Sequence, residues 1–450
     1  MTRVSSGLLT SAAAWHIVDI PHTVALNTRS RPMSISLLLV AASLHAATGT
    51  DSSRTPLGAP GEGTRGASHE LTEARSVGMS ATALIRAEVE VWNDLDRGSF
   101  PGAALAVGRQ QHVVLEEGFG AVGRGAGENE AVDPDRTVYD LASLTKVVGT
   151  ATAVMLLLED GKIRLDDPVA AYLPEFSGGG RERVTLRHLL THTAGLPEGV
   201  DVPAGLSPEQ ALRYVLATPL RAAPGMRVEY SDLSAVILYA AAERAAGEPL
   251  YRLLDRRVFG PLKMRSTTYW PGEGCARCAP TSRVMGPAFR GHVHDPISRR
   301  LGGISGNAGL FSTVHDLARF AAMLANGGEL DGVRVLQPGT IRAFTQRQPG
   351  TGTRALGWDT PGRPGTSMFG NLCSDRSFGH TGYTGTSIWI DPDLGTWVVP
   401  LSNRTYDTES NNRMQQLRRA VADHVVEAAE YGPRVASYGG GAQDGSAGRR

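Results

Sequence analysis

Residues 139–146 read Tyr-Asp-Leu-Ala-Ser-Leu-Thr-Lys (YDLASLTK) and open a segment with the spacing of an amphipathic helix. Apolar residues recur every three or four positions from Leu144 to Leu158, so one face of this helix is expected to be buried. Ser143 and Lys146 lie three positions apart, which on a helix puts both side chains on one face. The Lys146 amine can then reach the Ser143 hydroxyl, as a serine nucleophile with a neighbouring base requires.

Lysine is rare in this chain, which strengthens the case that Lys146 has a catalytic role. Only Lys146, Lys162 and Lys263 are lysines, and all other residues among the 45 basic ones are arginines. A guanidinium does not deprotonate in proteins, whereas a buried ammonium can, so the composition favours a titratable role for Lys146. To act as a base this lysine must be neutral, which requires burial or a nearby cation. The alternative is an ordinary helix start with a surface lysine, since Ser-x-x-Lys arises by chance about once in a chain of this length.

Composition limits the classes of function. The 450 residues, 41% hydrophobic and 20% charged, are enough for one large domain or two small ones. The 45 basic and 45 acidic residues cancel, so no net field attracts nucleic acid or an anionic membrane. No apolar run is long enough to predict a transmembrane segment. A small-molecule or peptide substrate is therefore the expected partner.

Three regions are predicted along the chain. Residues 1–75 form an N-terminal extension, in which the apolar run Ile35–Leu44 follows Arg29 and Arg31 as in a signal peptide, and a polar, glycine-rich linker comes next. The small residues after the run fit a cleavage site poorly, so export to the periplasm or the extracellular space stands beside a cytoplasmic alternative. Residues 76–432 form the folded domain, and residues 433–450 form a flexible tail.

Hydrophobic periodicity places strands at both ends of the domain and helices in the middle. A single domain built from both ends of the chain, with a helical insertion, is the simplest architecture. The predicted strands are Ala103–Val107, His112–Glu116, Gly379–Tyr383, Ser387–Ile390 and Trp397–Leu401. The predicted helices are Ala81–Leu95, Val147–Leu158, Leu186–His192, Pro208–Leu216, Leu233–Ala246, Val314–Ala325 and Arg413–Ala429.

Two further motifs bring chemistry to the same region. In Tyr230-Ser-Asp232 a phenol and a carboxylate lie two residues apart before a helix, so Tyr230 could relay protons. Asp232 as a helix cap and Tyr230 as a half-buried aromatic are the structural alternatives. His380-Thr-Gly382 lies on a predicted strand, and the backbone N–H of Tyr383 could act with that of Ser143 as an oxyanion donor. A lone histidine on a strand is otherwise more often structural.

In this order the three motifs resemble the Ser-x-x-Lys, Tyr-x-Asn and Lys/His-Thr-Gly motifs of the serine β-lactamase, penicillin-binding protein and related esterase superfamily. Residues 185–197 (TLRHLLTHTAGLP), 306–313 and 379–385 look like the class C branch, and the resemblance covers Ala81 to Ala429. It implies a mixed α/β (α+β) protein with the β-lactamase/DD-peptidase-like fold. A five-stranded antiparallel sheet flanked by helices then lies beside an all-helical region, with the active site in the cleft between them.

The resemblance also implies a serine hydrolase that forms an acyl-enzyme on Ser143, with D-Ala-D-Ala peptides, β-lactams, esters or D-amino-acid amides as substrates. Lys146 and Tyr230 then move protons, the backbones of Ser143 and Tyr383 hold the oxyanion, and Asp232, His380 and Gly382 position the substrate. No metal or organic cofactor is expected. A non-catalytic peptidoglycan- or penicillin-binding protein of the same fold is the alternative, although such a protein would be expected to lose the nucleophile or its lysine.

Two positions depart from the usual motifs. Asp232 stands where many members have asparagine, and its negative charge favours the Lys146 ammonium, which makes Tyr230 the better base candidate. His380 replaces the lysine typical of β-lactamases, so efficient penicillin hydrolysis is not expected.

Other enzyme classes fit the sequence less well. Cys275-x-x-Cys278 followed by His292, His294 and Asp295 suggests zinc, but the histidine spacing does not match a structural zinc site. A local disulfide, or two free thiols, is the preferred interpretation, with His294 and Asp295 possible cleft residues. No Gly-x-Ser-x-Gly motif is present, which argues against an α/β-hydrolase.

Overall fold

The computed structural model describes residues 73–125, 127–272, 274–283, 289–363, 367–410 and 413–430. All of them belong to one compact unit, Thr64–Arg450. The predicted signal peptide and almost all of the predicted linker, as well as the tail predicted for residues 433–450, lie outside the described residues and remain predictions.

The described strands are short, and five of them form the main sheet. In chain order they are β1 (Gly102–Arg109), β2 (His112–Gly120), β3 (Tyr139–Asp140), β4 (Phe311–Ser312), β5 (Glu329–Leu330), β6 (Val333–Arg334), β7 (Phe378–Thr381), β8 (Ser387–Asp391) and β9 (Thr396–Ser402). The five-stranded sheet has the order β2-β1-β9-β8-β7, and each neighbouring pair is antiparallel. Strands β3 and β4 pair separately, as do β5 and β6.

The two ends of the domain meet in this sheet. Strand β1 pairs with β9 from Ala103↔Ser402 to Arg109↔Thr396, so the first and last strands lie side by side. Every residue of β1 is buried because helices cover both faces of the sheet. The strands predicted before and after the helical middle therefore meet in one sheet, and the predicted five-stranded antiparallel sheet is confirmed.

The predicted helices are found within a few residues of their expected bounds. The helices are α1 (Ala81–Asp96), α2 (Thr152–Glu159), α3 (Leu186–Leu190), α4 (Pro208–Leu216), α5 (Asp232–Ala246), α6 (Leu250–Leu254), α7 (Pro296–Arg300), α8 (Val314–Ala325), α9 (Pro338–Thr345) and α10 (Arg413–Glu430). Helices α1 and α10 pack together on one face of the sheet, and α8 packs against β1, β8 and β9.

Two predicted elements end earlier than expected. The helix predicted for Leu186–His192 stops at Leu190, since His192 has a left-handed φ of 56° that no α-helix contains. The strand predicted for Gly379–Tyr383 stops at Thr381, because Gly382 N–H turns to bond the carbonyl of Thr386 at 2.7 Å.

The most apolar helical segment passes through the middle of the domain. Ala142–Glu159 combines a 3₁₀ turn (Ala142–Leu144), a π-helical turn (Lys146–Ala151) and α2. Among the described residues this is the one helix long and apolar enough to span a membrane, with a mean hydropathy of 1.4, but 83% of it is buried inside the protein. It is therefore a core helix of the domain, and its first turns carry Ser143 and Lys146.

Candidate active site

Ser143 lies in the tight turn that connects β3 to the core helix. The preceding residue, Ala142, has a φ of 46°, a region that non-glycine residues rarely occupy. This turn places Ser143 at the start of the helix, where backbone N–H groups have no intrahelical acceptor. The predicted position of Ser143 at a helix N-terminus is thus found.

Lys146 is buried and reaches Ser143 directly. Its Nζ lies 2.9 Å from Ser143 Oγ, 2.6 Å from Asp232 Oδ1 and 3.1 Å from the carbonyl oxygen of Asn307. The Lys146 side chain is only 3% exposed, so water contributes little to its solvation. Three acceptors around one ammonium give this side chain a single position beside the hydroxyl.

The surroundings of Lys146 keep it protonated. Burial lowers the pKa of this amine, but the negative charge of Asp232 and the interaction with Tyr230 outweigh burial and raise the pKa above its ordinary value. In the resting site Lys146 is therefore an ammonium ion. The expectation that Asp232 favours the charged form agrees with this direction, and the neutral lysine that a simple base would require is not the resting state.

The segment 185–197 fixes the loop that carries Tyr230. The His192 carbonyl accepts the Glu229 N–H at 2.9 Å, and His192 Nδ1 accepts the Ser231 N–H at 3.1 Å. Ser231 Oγ donates to the carbonyl of Pro197 at 2.6 Å. Since Ser231 also caps α5, these bonds set the positions of both residues that flank it, Tyr230 and Asp232.

Tyr230 lies between two cations and two histidines. Lys146 Nζ is 4.9 Å from the centre of its ring, and the Arg354 guanidinium is 5.1 Å from it. The ring centre of His192 is 4.6 Å away and that of His380 is 6.1 Å away. Burial, followed by the charges of Arg354 and Lys146, lowers the pKa of His192 well below its usual value, so this ring is neutral.

His380 is a neutral, buried side chain that faces the cleft. Burial and the charges of Lys146 and Arg354 lower its pKa well below the usual value. Its Nδ1 lies 2.8 Å from the Thr381 carbonyl and is therefore the protonated nitrogen. Its Nε2 is buried and has no hydrogen-bond partner among the described residues, while the residue as a whole lines the cavity beside Ser143.

Gly382 lets the turn after β7 approach the nucleophile turn closely. A Cβ atom at this position would lie 2.0 Å from Thr386 Oγ1 and 2.5 Å from the Leu141 carbonyl oxygen. Only glycine fits this contact. Tyr383, the next residue, lies beyond the strand, and the position of its N–H as an oxyanion donor remains a prediction.

We expect Gly382→Ala to separate these two turns and to lower hydrolytic activity at least about tenfold, because overpacking of this kind costs roughly 1–3 kcal/mol. Steady-state kinetics with an ester or peptide substrate measures the effect. Gly339→Ala is the matched control: Gly339 lies in α9, and its Cβ would meet only the end of the Arg342 side chain at 3.9 Å. Equal activities of the two variants would contradict the expectation.

A cavity of about 390 Å³ opens beside Ser143 and is lined by basic groups. Arg354, Arg404 and Arg418 all line it, with Asp359 as the acidic residue. Arg418 is buried and donates to the carbonyls of Gly382 and Thr386, which supports the turn from behind. Arg354 has a looser partner, Asp359 at 3.7 Å, and its guanidinium is the group best placed to meet an anion.

The structure therefore brings the predicted residues Ser143, Lys146, Tyr230, Asp232, His380 and Gly382 into one region. The sequence did not single out four other contributors. Three are Arg354, Arg404 and Arg418, which belong to no recognised motif and do not stand out in a chain rich in arginine. The fourth is Asn307, which takes part through its backbone carbonyl.

The cysteine pair does not form a metal site. Cys275 and Cys278 are joined in a disulfide, so neither thiolate is available to zinc, and the disulfide alternative is the correct one of the two left open. The His294 N–H bonds Asp140 and its ring stacks on Tyr383, at 5.7 Å between centres. Asp295 lines a second cavity, of about 580 Å³, that also borders Asp232.

Comparisons with known proteins agree with this arrangement. The Beta-lactamase family model matches residues 81–423. A "Putative D-alanyl-D-alanine carboxypeptidase" from Salmonella schwarzengrund (strain CVM19633) is 31% identical over 393 residues, which covers 79% of this chain and 90% of that protein.

Solved structures are similar over the same region. A beta-lactamase from Mycobacterium bovis is 26% identical, with a TM-score of 0.51, and the match covers 76% of this chain and 100% of that one. A penicillin-binding protein homologue from Caulobacter crescentus is 22% identical, with a TM-score of 0.62 over 76% of this chain and 97% of that one, which supports the fold. The chain belongs to the beta-lactamase family and is a serine hydrolase with the β-lactamase/DD-peptidase fold.

Proposed function

We propose that this protein is a D-alanyl-D-alanine carboxypeptidase that forms an acyl-enzyme on Ser143. The observation that carries the proposal is the basic lining of the cavity beside Ser143, which suits a leaving group that ends in a carboxylate. A terminal D-alanine is such a group. The name of the Salmonella relatives points to the same reaction.

Arg354 is the residue we assign to the substrate carboxylate. Its guanidinium lies over the Tyr230 ring and lines the cavity that also contains Ser143. The other two arginines are committed to backbone carbonyls: Arg418 to Gly382 and Thr386, and Arg404 to Tyr383. A planar guanidinium matches a carboxylate with two parallel hydrogen bonds, which a lysine cannot provide.

The charge of Asp232 decides which groups of the site we expect to carry protons. Lys146 and Tyr230 interact closely, so the active pair that lacks one proton is either amine with phenol or ammonium with phenolate. Asp232 at 2.6 Å from Lys146 favours the ammonium, so the mechanism we propose requires an unprotonated Tyr230 oxygen as the final proton acceptor. As Ser143 attacks the carbonyl carbon, Lys146 passes one proton to Tyr230 and takes the proton of the serine hydroxyl.

The same pair completes the cycle. Tyr230 and Lys146 return a proton to the departing amine, so D-alanine leaves as a neutral amine with its carboxylate held by Arg354. Water then attacks the acyl-enzyme by the reverse route and releases the shortened peptide. The backbone N–H groups of Ser143 and Tyr383 are assigned to the oxyanion in both steps.

We expect a peptide ending in D-Ala-D-Ala to be hydrolysed with at least about tenfold higher kcat/KM than the same peptide with a C-terminal amide. A hydrogen bond to a charged group contributes roughly 1.5–3 kcal/mol, and Arg354→Gln should therefore remove most of that difference. Hydrolysis of the peptide with a free C-terminal carboxylate is followed by the release of D-alanine, and hydrolysis of both peptides is followed by chromatography.

Arg342→Gln is the control, because Arg342 lies on α9 and does not line the cavity beside Ser143. It should keep the wild-type preference. If the wild type hydrolyses acid and amide equally well, or only esters, the carboxypeptidase assignment is wrong and an esterase of the same family is the better description.

A further inference from the structure

Asp140, three residues before the nucleophile, connects the segments that surround it. The residue is 1% exposed and lies on β3, opposite Phe311 on β4. Its Oδ1 accepts the N–H of Ala142 at 2.9 Å, and its Oδ2 accepts the N–H of His294 at 2.6 Å. One buried carboxylate thus binds two backbone donors on different segments.

The backbone of Asp140 makes a third connection, to the turn after β7. Its carbonyl accepts a hydrogen bond from Thr384 Oγ1 at 2.7 Å, and the next carbonyl, that of Leu141, accepts one from Thr386 Oγ1 at 2.9 Å. This turn contains Gly382 and Tyr383. A displacement of Asp140 would therefore move the nucleophile turn and the opposite side of the cleft together.

The contact with Ala142 holds an uncommon conformation. Ala142 has a φ of 46°, where a Cβ atom is unfavourable, and it directly precedes Ser143. The bond from Ala142 N–H to Asp140 Oδ1 spans two residues and closes the turn from its inner side. The backbone N–H groups of Ala142 and His294 bond different oxygens of the carboxylate. An asparagine side chain has only one acceptor oxygen and could not satisfy both donors in this way.

We propose that Asp140 is a positioning residue whose ionised carboxylate holds the Ala142 turn and so presents Ser143 for acylation. The inference rests on the proposed role of Ser143 as nucleophile. Asp140 does not reach the reacting atoms and acts through Ala142, His294 and the turn after β7.

The charge of this carboxylate depends on pH in the working range. Burial raises the pKa of Asp140 to about 6, and the two backbone hydrogen bonds oppose that rise. The charge of Asp295 adds to the rise and that of Arg299 opposes it, both as smaller effects. Because the pKa is above its ordinary value of 3.8, the folded state binds this proton more tightly than the unfolded chain does. Falling pH through this window stabilises the fold with respect to this group, whereas the buried neutral rings of His192 and His380 act in the opposite direction. Thermal unfolding measured at each pH therefore separates a local loss of activity from unfolding.

The experiment compares the acylation rate and steady-state kinetics of Asp140→Asn with those of the wild type between about pH 5 and pH 8. We expect Asp140→Asn to lower kcat about tenfold with less than about a twofold change in KM, because one backbone donor loses its acceptor. The acid limb of the wild-type profile, with a midpoint near 6, should be absent in the variant.

Asp316→Asn is the matched control. Asp316 is also buried and also accepts two hydrogen bonds, from Ser266 N–H and Thr267 Oγ1, but it lies on α8 outside the cleft. It should lower thermal stability without changing the shape of the pH profile. Adding Ala142→Gly to Asp140→Asn should restore at least about fivefold of the lost rate, since glycine adopts a positive φ without strain.

Two results overturn the inference. If Asp140→Asn retains the wild-type rate and pH profile, or if it behaves like Asp316→Asn, the carboxylate is only structural. If Ser143 of the wild type forms no adduct with penicillin, fluorophosphonate or substrate, the proposed function fails and this inference fails with it. The two failures are distinct, because the first occurs on an enzyme that is acylated.

Discussion

Ser143→Ala should lose at least about 10³-fold in hydrolytic rate and should form no covalent adduct with a penicillin or a fluorophosphonate. The magnitude follows from the loss of a nucleophile in enzymes that work through a covalent intermediate. Lys146, which lies 2.9 Å from Ser143 Oγ, is held as an ammonium by Asp232 and so does not replace the hydroxyl as nucleophile. Intact-protein mass spectrometry after incubation with each probe measures the adduct directly.

Ser374→Ala is the control for this experiment. Ser374 Oγ is bound by a charged side chain, Asp391 at 2.8 Å, but Ser374 is not among the residues that line the cavity next to Ser143. This variant should be labelled like the wild type. Labelling by penicillin favours a peptidase and labelling by fluorophosphonate alone favours an esterase, whereas an adduct on Ser143→Ala would place the nucleophile elsewhere.

The fold could be predicted from the sequence wherever a strand or helix is long enough for the spacing of its apolar residues to be recognised. The five sheet strands and the longer helices each show several alternating or helically spaced apolar residues, and their positions are confirmed within a few residues. The two-residue strands β3 and β4 are too short to show a period. The five-residue helices α6 and α7 were not predicted, whereas α3, which has the same length, was, so length alone does not decide which short helices can be recognised. Tertiary contacts decide these elements.

The candidate site divides in the same way. Ser143, Lys146, Tyr230, Asp232 and His380 belong to motifs, and the structure places them together. Arg354 has no signal in the sequence, because its role depends on where a long loop crosses the cleft. The Asn307 carbonyl carries no side-chain signature, and no sequence pattern marks the left-handed φ of Ala142, whose N–H bonds the Asp140 carboxylate.

An aspartate at position 232, where the resemblance leads one to expect asparagine, has a specific chemical consequence. An asparagine side chain both donates and accepts, whereas an ionised aspartate only accepts. Asp232 therefore cannot donate to a substrate carbonyl, and one of its oxygens is occupied by Lys146 at 2.6 Å. Asp232 thus fixes the charge of the lysine.

Lys146→Arg tests whether Lys146 carries protons or only supplies a positive charge. An arginine keeps the charge that pairs with Asp232, so the variant should remain folded, but a guanidinium cannot give up a proton and take another. We expect kcat to fall at least about 10³-fold, as for the loss of a catalytic group, with the melting temperature little changed. The measurements are steady-state kinetics and thermal unfolding on the same samples.

Lys162→Arg is the matched control for Lys146→Arg, because Lys162 is a lysine at the surface whose Nζ contacts only the Ala246 carbonyl among the described residues. It should leave kcat and stability unchanged. Lys146→Met separates the remaining possibilities: it removes the charge and leaves Asp232 without its partner, so it should lower both activity and stability. If Lys146→Arg keeps the wild-type kcat, the ammonium acts as a fixed charge, and Tyr230 alone must take the proton of Ser143.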